Sequence, residues 1–250
     1  MPGRRPRADR YLLMASRRLR WLLAVTAAVL VAVAGCAPSK FRYVSHSSTN
    51  TYLKVPRSWK AYDGRLLDQI EAKAEQFGGE DAPSFVDQAF QGVLQWRVAY
   101  DGDKDPQPRH VVSYSEAPVV EVRVRELNDD ERDHVNLASL RNIFFPYDQL
   151  KAELEQELKE QSIAANPPTS GAFRPLIERE INLPGGVRGN RLRFEVRQGD
   201  EFFVIDQTAL LDGKTNHVYV LLMRASEEEF ANNRKLLDEI AQSFTVKQKG

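Results

Sequence analysis

The chain has 250 residues, 35 Lys and Arg against 35 Asp and Glu, four His, a single Cys and 42% apolar residues. Seven of the basic residues and one acidic residue stand before Cys36, so a chain beginning there keeps 28 and 34 and carries a net charge near −6. That balance argues against nucleic acid as a partner and against a second, polybasic attachment to anionic lipid; the lone cysteine excludes an internal disulfide, and abundant Val, Leu, Ile and Phe suit a chain stabilised by burial.

In chain order, seven Arg precede an apolar run from Trp21 to Ala34 that ends in Val33-Ala34-Gly35-Cys36. A short apolar segment behind basic residues and closed by small ones reads as an export signal, since it falls short of the ~20 residues that a bilayer-spanning helix needs. Residues 1–35 are therefore expected to be a lipoprotein signal peptide, cut between Gly35 and Cys36. A diacylglyceryl group on Cys36 would then hold the chain to the extracytoplasmic face of the cell membrane by two acyl chains. Ser16, Arg17 and Arg18 follow a twin-arginine signal only loosely, because Arg20 stands where an apolar residue is expected; Met14 begins a shorter, more ordinary signal.

Residues 36–49, with Ser45, Ser47, Ser48 and Thr49, read as the lipidated N-terminus and a flexible polar tether. Residues 50–246 read as one globular domain. Thr51–Val55 is a first strand, stopped by Pro56. Leu66, Leu67, Ile70, Ala74 and Phe77 recur at helical spacing over 63–77, closed by Gly78 and Gly79, and Phe85–Phe90 is a further helical turn. The period then drops to two: Leu94, Trp96, Val98 and Tyr100, and later Val120, Val122 and Val124, alternate with polar residues, as in two antiparallel strands with one wet face. Leu137–Phe145 reads as a short apolar helix and Asp148–Gln161 as a charged one broken by Asn166, Pro167 and Pro168.

Four strands follow, over Leu176–Leu183, Arg191–Arg197, Phe202–Leu211 and Val218–Met223, joined by turns at Pro184-Gly185-Gly186, Gln198-Gly199-Asp200 and Asp212-Gly213-Lys214. Phe202–Ile205 and Val218–Met223 are apolar on both faces, which suits a sheet centre covered from both sides. A final helix, with Ser226 and Glu229 as a capping box, offers Phe230, Leu237, Ile240, Ala241 and Phe244 as its buried stripe.

Three stretches resemble the PsbP-like family: Tyr52-Leu53-Lys54-Val55-Pro56-Arg57-Ser58-Trp59; the Gly189-Asn190-Arg191-Leu192-Arg193-Phe194 strand; and Lys214–Met223 with a closing helix ending Ile240-Ala241-Gln242-Ser243-Phe244. The likeness covers residues 50–70 and 187–246 and is nearest to actinobacterial-type lipoproteins of unknown role; the family also includes a photosystem extrinsic subunit and a nuclear-import factor that binds a small GTPase. It implies an α+β fold, an α/β/α sandwich around a mostly antiparallel sheet, with residues 101–174 as an insertion. It implies no shared reaction and offers no catalytic residue to carry over.

Local chemistry is sparse. Asp101, Asp103 and Asp105 match the start of a calcium loop, but Pro106 replaces its glycine and Val112 its closing glutamate, so an exposed turn is expected. The run Asn128–His134 reads as a solvated loop. His46, His110, His134 and His217 share no ligand spacing, so neither a metal nor another cofactor is expected, and neither a nucleophile elbow nor a phosphate loop occurs. Arg191, Arg193 and Arg197 project from one strand face, as do Arg123 and Arg125 from another. Were the two strands neighbours, these arginines would form an anion-binding patch; the alternative is cross-strand ion pairing. Ile143-Phe144-Phe145-Pro146-Tyr147 either presents aromatics to a partner or belongs to the core. The resulting expectation is a noncatalytic, membrane-anchored lipoprotein that binds a protein partner in the cell envelope. A lipid or glycolipid carrier or sensor is the alternative, and an envelope hydrolase the third reading.

Overall fold

The computed structural model describes residues 39–76, 94–113, 115–163 and 173–247. The chain divides between Lys40 and Phe41, and every described helix and strand belongs to the second unit, Phe41–Gly250. Cys36, the signal segment, the turn expected at Phe85–Phe90 and the Asn166–Pro168 break lie outside the described residues.

Among the described residues, ten strands form two sheets. The small one contains β1 (Phe41–His46), β2 (Thr51–Pro56) and β10 (Thr245–Val246) in the order β1-β2-β10. The large one contains β3 (Lys60–Asp63), β4 (Leu94–Asp101), β5 (Val119–Glu126), β6 (Phe173–Leu183), β7 (Val187–Gln198), β8 (Glu201–Leu211) and β9 (His217–Ser226). Its order is β3-β4-β5-β9-β8-β7-β6, with every neighbouring pair antiparallel. The helices are α1 (Gly64–Gln76), α2 (Arg109–Val112), α3 (Asp129–His134), α4 (Leu137–Arg141), α5 (Tyr147–Ile163) and α6 (Glu227–Ser243). The fold is α+β, with helices on both faces of one antiparallel sheet.

The doubly apolar strands β8 and β9 stand inside the sheet. One face packs Val120, Val122, Leu221 and Met223 against Phe230, Leu237, Ile240 and Phe244 from α6 and against Leu53 and Val55 of β2. The other packs Leu192, Phe194, Ile205 and Val220 against Leu140, Ile143, Phe144, Phe145 and Tyr147. The aromatic run around Pro146 is thus core. Asn190 of β7 and Gln207 of β8 fasten α4 there, donating to the Leu137 and Leu140 carbonyls at 3.0 and 2.9 Å.

Tight turns explain the meander. Gly199, at φ 63°, makes the β7–β8 hairpin, a backbone region costly for other residues. Gly189 serves close approach instead: a Cβ there would stand 1.9 Å from the Ala209 carbonyl oxygen. Asp63 caps α1 by accepting from the Leu66 N–H at 3.1 Å. At α6 only half of the expected capping box forms. Ser226 Oγ accepts from the Glu229 N–H, whereas the Ser226 N–H donates to the Glu116 carbonyl rather than to Glu229.

Five expectations need correction. Residues 41–46 are a strand paired along its length with β2, and Thr49 and Thr51 are buried, so the tether of residues 36–49 cannot extend beyond Lys40. Polarity misleads there because Arg42, Val44 and His46 turn inward, onto Tyr100, the core and Trp96. Residues 101–174 are not an insertion, since β5 lies between β4 and β9. Nor is the polar face of β4 and β5 wet: α1 covers it, leaving Arg97 and Arg123 only 6% and 3% exposed. The expected helix over Leu137–Phe145 stops at Arg141, and Asn128–His134 forms not a loop but α3, with Asn128 and Glu131 capping each other.

Candidate binding cleft

The arginines singled out by the sequence separate into two clusters. β5 and β7 are not neighbours, because β9 and β8 stand between them. On β7, Arg191 and Arg193 share a face with Asp206, which stands directly opposite Arg193 on β8. Arg191 grips Asp206 through Nε and Nη2 at 2.9 and 2.7 Å, and Arg193 Nε donates to the same carboxylate at 2.7 Å. Asp238, reaching down from α6, accepts from both Nη2 groups at 2.8 and 2.5 Å. Asp206 is fully buried and both arginines nearly so. Burial alone would raise the Asp238 pKa, but the two guanidiniums hold it below the usual range. Two cations thus meet two anions, and Arg191 and Arg193 do not form an open anion patch. Arg197 lies apart at the hairpin, donating to the Gly199 carbonyl and pairing with Asp200.

On the opposite face, Glu121 accepts from Arg97 and Arg123 at 2.8 and 2.7 Å, and Glu71 of α1 accepts from the same two arginines. Burial pushes the Glu121 pKa up, yet Arg123, Arg97 and Arg224 outweigh it and bring it to about 2. Arg125 pairs with Glu131. Ion pairing, the alternative reading of these charges, describes both clusters.

Arg193 of this cluster, with Glu195, floors a cleft of about 290 Å³ between α6 and the β6–β7 side of the sheet. Its origin is geometric. Seven strands spaced ~4.8 Å apart span roughly 29 Å, whereas a helix covers about 10 Å. On this face the small sheet and α6 cover the strands from β4 to β8 and reach Ile181 and Leu183 of β6, but leave Leu176 of β6 exposed. Leu176, Ile177, Val204, Phe230 and Ala231 make the walls; Arg193 and Glu195 lie beneath, and Glu227 and Arg234 stand on the rim. Arg193 is fixed from above by the Phe230 ring, 4.8 Å from its guanidinium. Arg174 closes one end by pairing with Glu195 and Glu227. Leu176 remains 45% exposed, and Arg234 is exposed with no partner among the described residues. Periodicity assigns these residues to separate elements, and only the strand order and the position of α6 bring them together.

The histidines stay in separate places. His46 stacks on Trp96, His110 and His217 bind Asp101 and Asp212 at 2.9 and 3.0 Å, and His134 is exposed on α3. Asp101 is not in an exposed turn: it is fully buried and accepts from the Asp103 and Gln107 N–H groups as well. Among the described residues there is no cluster of three metal-ligating side chains, and no helix long and apolar enough to cross a membrane.

No family model matches the chain, and no curated protein matches it. Among solved structures it is similar to cyanobacterial PsbP from Synechocystis sp. PCC 6803, with a TM-score of 0.45 and 12% identity over 85% of this chain and 97% of that one. It is also similar to LpqN of Mycobacterium tuberculosis, described as involved in cell envelope biogenesis, with a TM-score of 0.44 and 15% identity over 83% and 91%. The Ran-binding protein Mog1p of Saccharomyces cerevisiae follows with 0.39 and 13% over 82% and 95%. At such identities no residue role and no activity passes from these proteins to this chain.

Proposed function

We propose that the chain is a noncatalytic binding protein of the cell envelope, held at the outer face of the membrane by a diacylglyceryl group on Cys36 and engaging an envelope protein through the α6–β6 cleft. The cleft carries this reading. Its apolar walls accept one or two apolar side chains, and the unpartnered Arg234 offers a fork to a carboxylate beside them. Its floor is set before any partner arrives, because Asp206 and Asp238 hold Arg193 and Arg174 holds Glu195, so little ordering is lost on binding. A lipid or glycolipid carrier is less well served, since a long acyl chain would lie over the charged Arg193–Glu195 floor.

In-cell photocrosslinking from position 231 of the full chain tests this. A defined envelope protein should be captured, capture should fall at least about tenfold with Arg234→Glu, and it should be lost with Cys36→Ser, which removes the anchor. Capture that ignores Arg234→Glu would remove the cleft from the reading. A reproducible co-purifying lipid with no protein captured would replace it with the carrier. Metabolic labelling with palmitate reports on the anchor separately and should vanish in Cys36→Ser.

A further inference from the structure

We propose that the outer face of the small sheet lies on the membrane, as an interfacial patch of aromatic rings and lysines that takes anionic lipid. The inference rests on the anchor at Cys36. Only four residues, Ala37 to Lys40, separate Cys36 from the start of β1. An extended chain spans at most ~3.5 Å per residue, so Phe41 stays within about 18 Å of the lipidated residue. The small sheet is therefore the part of the molecule that the membrane meets first.

Side chains alternate along a strand. With Arg42, Val44 and His46 turned onto the large sheet, Phe41, Tyr43 and Ser45 face away from it. Register sets Lys54 beside Tyr43, Tyr52 beside Ser45 and Thr245 beside Tyr52 on that same outer face. Tyr43 is 82% exposed, a large aromatic side chain left in the open. Lys54 Nζ lies 4.7 Å from the Phe41 ring centre and Lys247 Nζ 4.6 Å from that of Tyr52. Arg57, exposed at the end of β2, donates to the Phe41 carbonyl. No acidic residue occurs on β1, β2 or β10; Glu239 of α6 pairs with Lys54 at 3.4 Å.

Tyrosine with flanking lysine is the composition of a membrane–water interface: the ring sits at headgroup depth, its hydroxyl stays wet, and the ammonium meets lipid phosphate. Such a face on a chain whose mature charge is near −6 is a local reversal of sign. It orients the domain, because a patch on one side of a short anchor admits one way of lying down.

Depth measurement on the full chain in vesicles decides the matter. With Cys36 acylated, Tyr43→Cys carries the only free thiol and takes an environment-sensitive nitrobenzoxadiazole label; Ala138→Cys, exposed on α4 across the large sheet, is the reference. In phosphatidylcholine–phosphatidylglycerol vesicles, brominated lipid should quench the label at 43 and leave 138 unquenched. Lys247→Glu with Arg57→Glu should cut quenching at 43 by about threefold there, with a smaller effect in phosphatidylcholine alone. Equal, low quenching at both positions overturns the proposal. So does a label at 43 shielded by self-association in detergent without lipid, which would make the face a contact between copies. If thiol counting finds Cys36 free, the anchor reading fails by itself, and the same two labels in a Cys36→Ser background then decide the face.

Discussion

Asp206 concentrates the cost of burying charge in this protein. It is fully buried and takes three hydrogen bonds from Arg191 and Arg193, which among the described residues have only Asp238, a third exposed, as their other carboxylate. A buried cation that loses its partner costs far more than the intact pair contributes. Asp206→Asn keeps the shape and removes the charge. It should lower the unfolding free energy by about 3–5 kcal/mol, read from the midpoint of a urea titration with unchanged slope. The arginines of this cluster are plain in the sequence as an alternating run. Asp206 is not, because it directly follows the apolar run Phe202–Ile205 and leads into Gln207 and Thr208, a pattern that says nothing of an arginine on the next strand.

At the scale of elements, β1 shows how composition and structure part company. Phe41–His46 reads as tether because serines and a histidine surround it, yet its inward residues dock on Tyr100 and Trp96 and its backbone completes the small sheet. A chain starting at Asn50 should therefore unfold at a lower temperature than one starting at Phe41, by at least roughly 5 °C, since it bares the edge of β2 and one side of Trp96. Equal melting temperatures would return residues 41–49 to the tether. The cleft has a similar lesson. The stripe of α6 is legible as Phe230, Leu237, Ile240, Ala241 and Phe244, but that α6 leaves Leu176 of β6 exposed beside it follows only from the strand order.

At the scale of the whole molecule, stability should follow the ionisation of carboxylates held by arginine and histidine. Glu121 is brought from 4.5 to about 2 in the folded chain, and Glu131, Asp148, Asp212 and Asp238 shift in the same direction. A depressed folded-state pKa means stability that is whole above about pH 4.5 and is lost as pH falls toward 2, because the unfolded chain takes up the proton first. The Glu121 share of that loss is about 3 kcal/mol. Glu121→Gln should flatten the curve of unfolding free energy against pH between 4.5 and 2 by roughly that amount, whatever its effect at pH 7. An unchanged slope would show that Glu121 does not carry this proton linkage.

The sequence by itself determines the local elements: a strand before Pro56, the alternating strands of the second half with their glycine turns, and the closing helix from Ser226. Each depends on spacing within a single segment and on turn chemistry, which are local. It also carries the whole of the address reading, through Gly35 and Cys36. Only the tertiary structure decides which charges face one another. A period of two tells that Arg123 and Arg193 share nothing with the apolar side of their strands; whether their own side meets water, α1 or α6 depends on strand order and helix placement, which are set by packing between segments far apart in the chain, 52 residues for Arg123 and Glu71 and 45 for Arg193 and Asp238.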